Sequence, residues 1–289
     1  MTTPIQVTDL HKSYGTVAAV DGLGFEVAQG ETVAILGPNG AGKTTTVEIL
    51  EGFRRADSGE VRVLGVDPAT ADRAWRDRIG IVSQSCTGLD LLTPREIIAS
   101  TALAYRNPLD VDHVIEVTGL ATKANARIRG LSGGQRRRVD IALGIVGRSE
   151  LLFLDEPTTG FDPQARRDFW SLIRALGEDG TTIVLTTHYL DEAEALASRV
   201  GIIAAGRMVA LGTPSELGGS GRTSTLAWDE GGRRATLHTD RPTAEIARLA
   251  SRFGGEVPGL TVSRRSLEET YLALIGPQSA VGNADEVAA

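Results

Sequence analysis

The residues with the clearest capacity for chemistry are Gly37, Pro38, Asn39, Gly40, Ala41, Gly42, Lys43 and Thr44, a glycine-spaced string that ends in a lysine and a hydroxyl. Glycines at these positions let several backbone N–H groups turn toward one point, where they can cradle phosphate oxygens. A helix opening on the string would add the partial positive charge of its N-terminus. Lys43 has the reach and charge to meet the outer phosphates of a nucleoside triphosphate, and the Thr44 hydroxyl can ligate Mg²⁺. Thr45 is grouped with them as a nucleotide contact. The bland alternative is a glycine turn ahead of a helix, so the surrounding elements decide.

Thr32 to Leu36 is an apolar run of strand length, and Thr44 to Leu50 carries apolar residues at helical spacing. The string therefore lies in a strand, loop, helix unit. Ile5 to Leu10 and Val17 to Val27, broken at Gly15 and closed by Gln29-Gly30, predict a β-rich start. Asp57-Ser58-Gly59 reads as a turn, and Val61 to Leu64 and Ile79 to Val82 as strands. From Leu89 to Gly130 the pattern becomes helical. Thr93, Pro94 and Glu96 mark one helix start as a capping box, and Asp110 caps a second helix that Gly119 ends. Leu131 to Gln135 reads as a loop and Arg136 to Val146 as a helix, with the basic run Arg136, Arg137 and Arg138 taken as a solvated face without a role. Leu151 to Leu154 and Thr182 to Leu185 are unbroken apolar strands flanking a helix over Pro163 to Leu176. That alternation implies a parallel sheet covered by helices.

The glycines of 218–222 predict a linker. Beyond it, Thr223 to Trp228 and Arg234 to His238 pair across Glu230-Gly231-Gly232, with a helix over Ala244 to Phe253, a strand over Leu260 to Ser263 and a helix over Leu267 to Ile275. The expected division is a domain over 1–217 with a helical region about 89–147, a small α+β domain over 223–276, and a frayed tail over 277–289.

With 289 residues and a formal charge of −7, the chain can bury a core but lacks the basic face that binding along a duplex requires, so nucleic acid is not expected as a partner. The single cysteine, Cys86, cannot close an internal disulfide and reads as a passive thiol in a reducing compartment. Met1 to Leu10 lacks the pattern of a secretory signal, and the apolar runs are too short to span a bilayer.

Leu131-Ser132-Gly133-Gly134-Gln135 resembles the signature motif of the ATP-binding cassette (ABC) proteins. It is also a second anion site on physical grounds, with a hydroxyl at a helix N-cap and glycines exposing backbone donors. The resemblance implies that this loop closes over the γ-phosphate held by a second copy, in a head-to-tail dimer. Leu151 to Glu156 resembles the Walker B strand, which implies that Asp155 binds Mg²⁺ and Glu156 is the general base. Tyr14 is similar to the upstream aromatic that stacks on adenine. Gln84 resembles the Q-loop glutamine that touches Mg²⁺ or water, His188 the switch histidine, and Asp162 the D-loop residue, with Phe161 replacing an expected leucine. The motifs run in family order through Met1 to Leu217.

Thr187 to Glu194 and Ser266 to Tyr271 are similar to bacterial drug-exporter ATPases of the daunorubicin/doxorubicin-resistance type. What the resemblance implies is an α/β P-loop NTPase fold with a RecA-like parallel core, an antiparallel β subdomain and a helical subdomain. It also implies an ATPase using ATP and Mg²⁺, separate transmembrane permease subunits, and a cytoplasmic station on the inner face of the membrane. One departure is the compact segment from Tyr105 to Leu109. The other readings are a soluble cassette protein acting on ribosomes or DNA, which usually carries paired cassettes or a coiled-coil insertion, and an exporter of lipid, ion or polysaccharide.

Overall fold

The computed structural model describes residues 3–82, 89–218, 224–264 and 266–276. The chain divides into two compact units, residues 1–209 and 210–289.

The first unit opens with β1 (Ile5–Tyr14) and β2 (Val17–Val27), an antiparallel pair in which Ile5 faces Val27 and Tyr14 faces Val17. β3 (Thr32–Leu36) leads through the glycine string into α1 (Lys43–Leu50), and β4 (Ser58–Val63) returns to complete a sheet ordered β2-β1-β4. The bend before β4 is tighter than the sequence suggests, because Ser58 and Gly59 already belong to the strand. The Asp57 carboxylate makes the corner, accepting from Lys12 Nζ at 2.6 Å and from the Ser13 N–H at 2.7 Å.

Next come α2 (Arg73–Arg76), β5 (Ile79–Val82), α3 (Pro94–Ala102), α4 (Val111–Val117) and α5 (Gly133–Ile145). The capping box of Thr93 and Glu96 and the Asp110 cap form as the sequence indicates. α5, however, starts at Gly133 rather than Arg136. Ser132 is its N-cap, and Gln135 closes a reciprocal capping box that draws the glycines into the first turn.

β6 (Leu151–Asp155), α6 (Pro163–Glu178), β7 (Thr182–Thr187), α7 (Leu190–Leu196), β8 (Arg199–Ala204) and β9 (Arg207–Gly212) follow. They build a sheet ordered β5-β6-β7-β3-β8-β9, whose pairings from β5 through β8 are parallel. Leu151 to Leu154 and Ile183 to Leu185 are all fully buried, which accounts for their unbroken apolarity: a parallel sheet covered on both faces has no polar side to show. β3 lies between β7 and β8, so the glycine string leaves the sheet at its carboxyl edge beside the ends of β6 and β7. Ligands of open parallel sheets bind at that edge.

The second unit contains α8 (Pro214–Leu217), β10 (Ser224–Glu230), β11 (Arg233–Thr239), α9 (Pro242–Phe253), β12 (Thr261–Arg264) and α10 (Leu267–Ile275). β10 and β11 form a hairpin whose loop, Gly231-Gly232, has φ of 58° and 78°, the left-handed pair that a tight antiparallel turn needs. β12 pairs antiparallel on the other side of β10. Leu226 and Trp228 pack with Leu249 of α9, and Ile246 and Phe253 close around them.

α5 lies directly on β5. A Cβ added to Gly80 would meet the Gly144 carbonyl oxygen at 2.1 Å, so only the absence of a side chain permits this approach. Gly80→Ala is expected to lower stability by about 1–3 kcal/mol, the usual cost of overpacking. Urea unfolding measures the loss, and a variant as stable as the parent would contradict the close packing.

Candidate nucleotide site

The glycine string turns where Gly42 adopts a φ of 102° as the N-cap of α1, and a Cβ there would lie 2.2 Å from the Ala19 carbonyl oxygen. A side chain would both strain the backbone and collide with β2. Lys43, 5% exposed, folds back so that its Nζ donates to the carbonyl oxygens of Gly37 at 2.8 Å and Pro38 at 3.2 Å. Burial pushes its pKa below the ordinary lysine value, opposed by the charges of Glu156 and then Asp155. Thr44, Asn39 and Gly40 are exposed on the rim, with Thr45 half-buried behind them.

At the end of β6 the chain turns sharply. Glu156 has a φ of 43°, a left-handed conformation costing a non-glycine residue about 1–3 kcal/mol. The turn places its carboxylate between two groups distant in sequence: Oε1 lies 3.9 Å from Lys43 Nζ, and Oε2 lies 3.4 Å from His188 Nδ1. Its side chain is only 15% exposed. Sequence reasoning singled out all three residues separately, and the structure brings them together.

The signature residues are arranged differently. Ser132 Oγ accepts from the Gln135 N–H at 3.3 Å, while Gln135 Oε1 accepts from the Ser132 N–H at 3.1 Å. Ser132 and Gly133 remain exposed, and Gly134 faces α6 closely enough that an added Cβ would stand 3.1 Å from Ala165 Cβ. Asp162 caps α6, its Oδ1 accepting from the N–H groups of Gln164 and Ala165 at 2.9 Å each. Phe161 meets Phe169 edge-on at 5.8 Å, so the unexpected aromatic anchors this loop to α6. Tyr14 is 42% exposed, with the Arg54 guanidinium 5.2 Å and Lys12 Nζ 5.8 Å from its ring centre. Gln84 and Cys86 lie outside the described residues.

Three residues escaped the sequence reading. Thr186, fully buried in β7, donates through Oγ1 to Asp155 Oδ1 and receives the Glu156 N–H at 3.1 Å. A threonine inside a buried strand must find polar partners, and that was the available signal. Arg137 does not lie on a solvated face: it is 5% exposed and donates to the carbonyl oxygens of Asp155 and Pro157. Its helical spacing from the buried Ile141, Gly144 and Ile145 gives it away. Glu51, at the end of α1, is the third. Burial, then Asp155 and Glu48, push its pKa up to about 8.

The donors suit Mg²⁺ shared with phosphate. The Thr44 hydroxyl and Asp155 carboxylate are hard oxygens, and no group of three or more His, Cys, Asp or Glu residues among those described could cage a metal without a substrate.

Comparison with known proteins agrees with this geometry. A family model described as ABC transporter matches residues 20–159. The daunorubicin/doxorubicin resistance ATP-binding protein DrrA of Streptomyces peucetius is 38% identical, over 95% of this chain and 93% of its own length. The chain belongs to the ATP-binding subunits of ABC transporters. It is an ATPase that binds nucleotide and couples hydrolysis to transport. The Nod factor export ATP-binding protein I of Paraburkholderia xenovorans is 41% identical, over 74% of this chain and 72% of its own. Among solved structures, the dimeric post-hydrolysis state of the cassette MJ0796 with ADP and Pi superposes with a TM-score of 0.65 at 25% identity, covering 72% of this chain and 98% of that one. The structure of cbiO1 from Clostridium perfringens, part of the transporter complex cbiONQ, gives 0.69 at 28% identity, covering 75% and 91%. No helix among the described residues of this ABC subunit is long and apolar enough to cross a membrane.

Glu51 makes stability depend on pH. With a folded pKa raised from 4.5 to about 8, its favourable contribution is complete below the lower value and lost as pH rises through the upper one. Glu51→Gln, uncharged throughout, should therefore gain on the parent in denaturant midpoint as pH rises from about 5 to 8 and then keep a constant lead. Parallel curves for the two proteins would contradict the raised pKa.

Proposed function

We propose that the chain hydrolyses MgATP at an interface between two copies and uses the resulting closure and release to drive export of a lipophilic, drug-like compound through separate transmembrane subunits. The observation carrying the catalytic part is the Glu156 carboxylate held between Lys43 and His188. It is ionisable, largely shielded, and aimed at the place where the glycine string presents its donors. In this role Glu156 takes the proton of the attacking water, while Lys43 leaves its two carbonyl acceptors for the outer phosphates. His188 orients the carboxylate and can donate to phosphate. The backbone N–H groups of Gly40, Gly42 and Thr44 stabilise charge there, with Gly37, Pro38, Asn39 and Thr45 shaping the cradle and Ala41 closing its turn through an N–H donated to the Pro38 carbonyl oxygen at 3.1 Å.

Thr44 and Asp155, joined by Gln84 on the strength of the family resemblance, would hold Mg²⁺, which would neutralise phosphate charge. Tyr14 takes the adenine ring on its exposed side. Ser132, Gly133 and Gly134 of a second copy cap the nucleotide, aided by the exposed helix N-terminus of α5, while Gln135 holds that loop's shape and Asp162 the adjoining one. The helical region of 89–147 transmits closure to the permease on the inner membrane face. Drug-like cargo is supported by the alignment span: resistance proteins of this name match 95% and 98% of the chain, including its second unit, whereas the Nod factor relative matches 74%.

Glu156→Gln keeps the shape and removes the base. Its ATPase rate should fall roughly hundredfold or more, while ATP binding persists and a stable ATP-dependent dimer accumulates in size-exclusion chromatography. Turnover near the parent rate would overturn the catalytic reading. Co-purification with ribosomes or DNA, rather than with a membrane protein, would overturn the transport reading.

A further inference from the structure

We infer that Arg137 is a positioning residue for catalysis, holding the turn Asp155-Glu156-Pro157 in the one geometry that points Glu156 at the nucleotide. The inference rests on the role proposed for Glu156. Arg137 Nε donates to the Pro157 carbonyl oxygen at 3.0 Å, and Nη2 donates to the Asp155 carbonyl oxygen at 3.0 Å. The two acceptors flank Glu156 on either side in sequence, so one planar guanidinium bridges its left-handed backbone. From the opposite side, Thr186 receives the Glu156 N–H on its Oγ1 and on its carbonyl oxygen, at 3.1 Å each. Asp140, 3.7 Å from Nη1, neutralises the buried cation.

A residue needed only for burial at this position would be apolar, like Ile141 and Ile145 on the same face of α5. A buried arginine whose fork ends on two carbonyls of the catalytic turn instead fixes direction. Its origin matters too. Arg137 rides on the helix that opens at Ser132, roughly 8 Å along the axis, so the signature loop and the catalytic turn of one copy are joined through a single rigid element. Movement of that loop on a second copy's nucleotide carries the guanidinium with it, and with the guanidinium the Glu156 peptide.

Lysine at this position keeps the charge and the pairing with Asp140 but replaces the rigid two-nitrogen fork with one rotatable ammonium, which does not fix the two carbonyls relative to each other. Arg137→Lys should therefore retain the parent melting temperature and a KM for ATP within about threefold, while kcat drops tenfold or more. Thr186→Val, which loosens the same peptide from its other side, should also lower kcat, and the double variant should lose less than the product of the two because both act on one turn. If Arg137→Lys does not fold, Arg137→Gln is measured by the same criteria. A kcat within twofold of the parent, alongside an arrested Glu156→Gln control, overturns the inference. Parent-like turnover in Glu156→Gln as well would overturn the underlying reading of Glu156.

Discussion

Everything at the sheet edge depends on one peptide unit kept in a conformation that side-chain-bearing residues avoid. Glu156 has a φ of 43°, and its neighbours supply what its own preference does not. Its N–H is received by Thr186, and the carbonyl oxygens of the residues on either side of it accept from Arg137. With the peptide so held, the carboxylate stands between Lys43 and His188 rather than continuing along β6. Strain of this kind persists where surrounding structure overdetermines it, and it is common where a group must be aimed before its substrate arrives.

The same economy governs the glycine string. Lys43 is buried with its ammonium satisfied by two carbonyl oxygens of its own loop, so the cost of removing a cation from water is offset locally. Those bonds are exchangeable, because phosphate offers stronger charge-assisted acceptors at the same atom. The parallel order β6-β7-β3 makes this possible. It sets the ends of three strands side by side, with Asp155 in register with Thr186 and Leu36 with Thr187, so side chains over a hundred residues apart meet at one edge. Two of the polar groups there, Thr186 and Arg137, face inward to support residues that face outward.

The head of α5 is held in another way, with Ser132 and Gly133 exposed. Ser132 and Gln135 spend their polar atoms on each other and so fix the first turn of the helix, while the helix behind them is pinned to β5 through Gly80 and to the turn Asp155-Glu156-Pro157 through Arg137. The second unit is a compact α+β body with its own small apolar core around Trp228.

Periodicity and spacing determined much of this protein directly. The strands Thr32–Leu36 and Ile79–Val82 and the helix Leu267–Ile275 emerge at the predicted limits, and the caps at Thr93 and Asp110 form as written. These are local features, set by backbone sterics and by side chains within a few residues. The glycine string, the signature and the acidic strand end were legible for the same reason, each being a short segment whose chemistry is complete in itself. What only the tertiary structure decided was which of those segments meet, and which residues between them hold the meeting in place. Arg137 looked like surface because charge usually seeks water, and only the approach of α5 to the carbonyls of another element makes its burial favourable. Thr186 showed only that a buried strand held a hydroxyl, and Glu51 only that a helix ended on a carboxylate; in both cases Asp155, which acts on them, is distant along the chain and becomes a neighbour only through the fold.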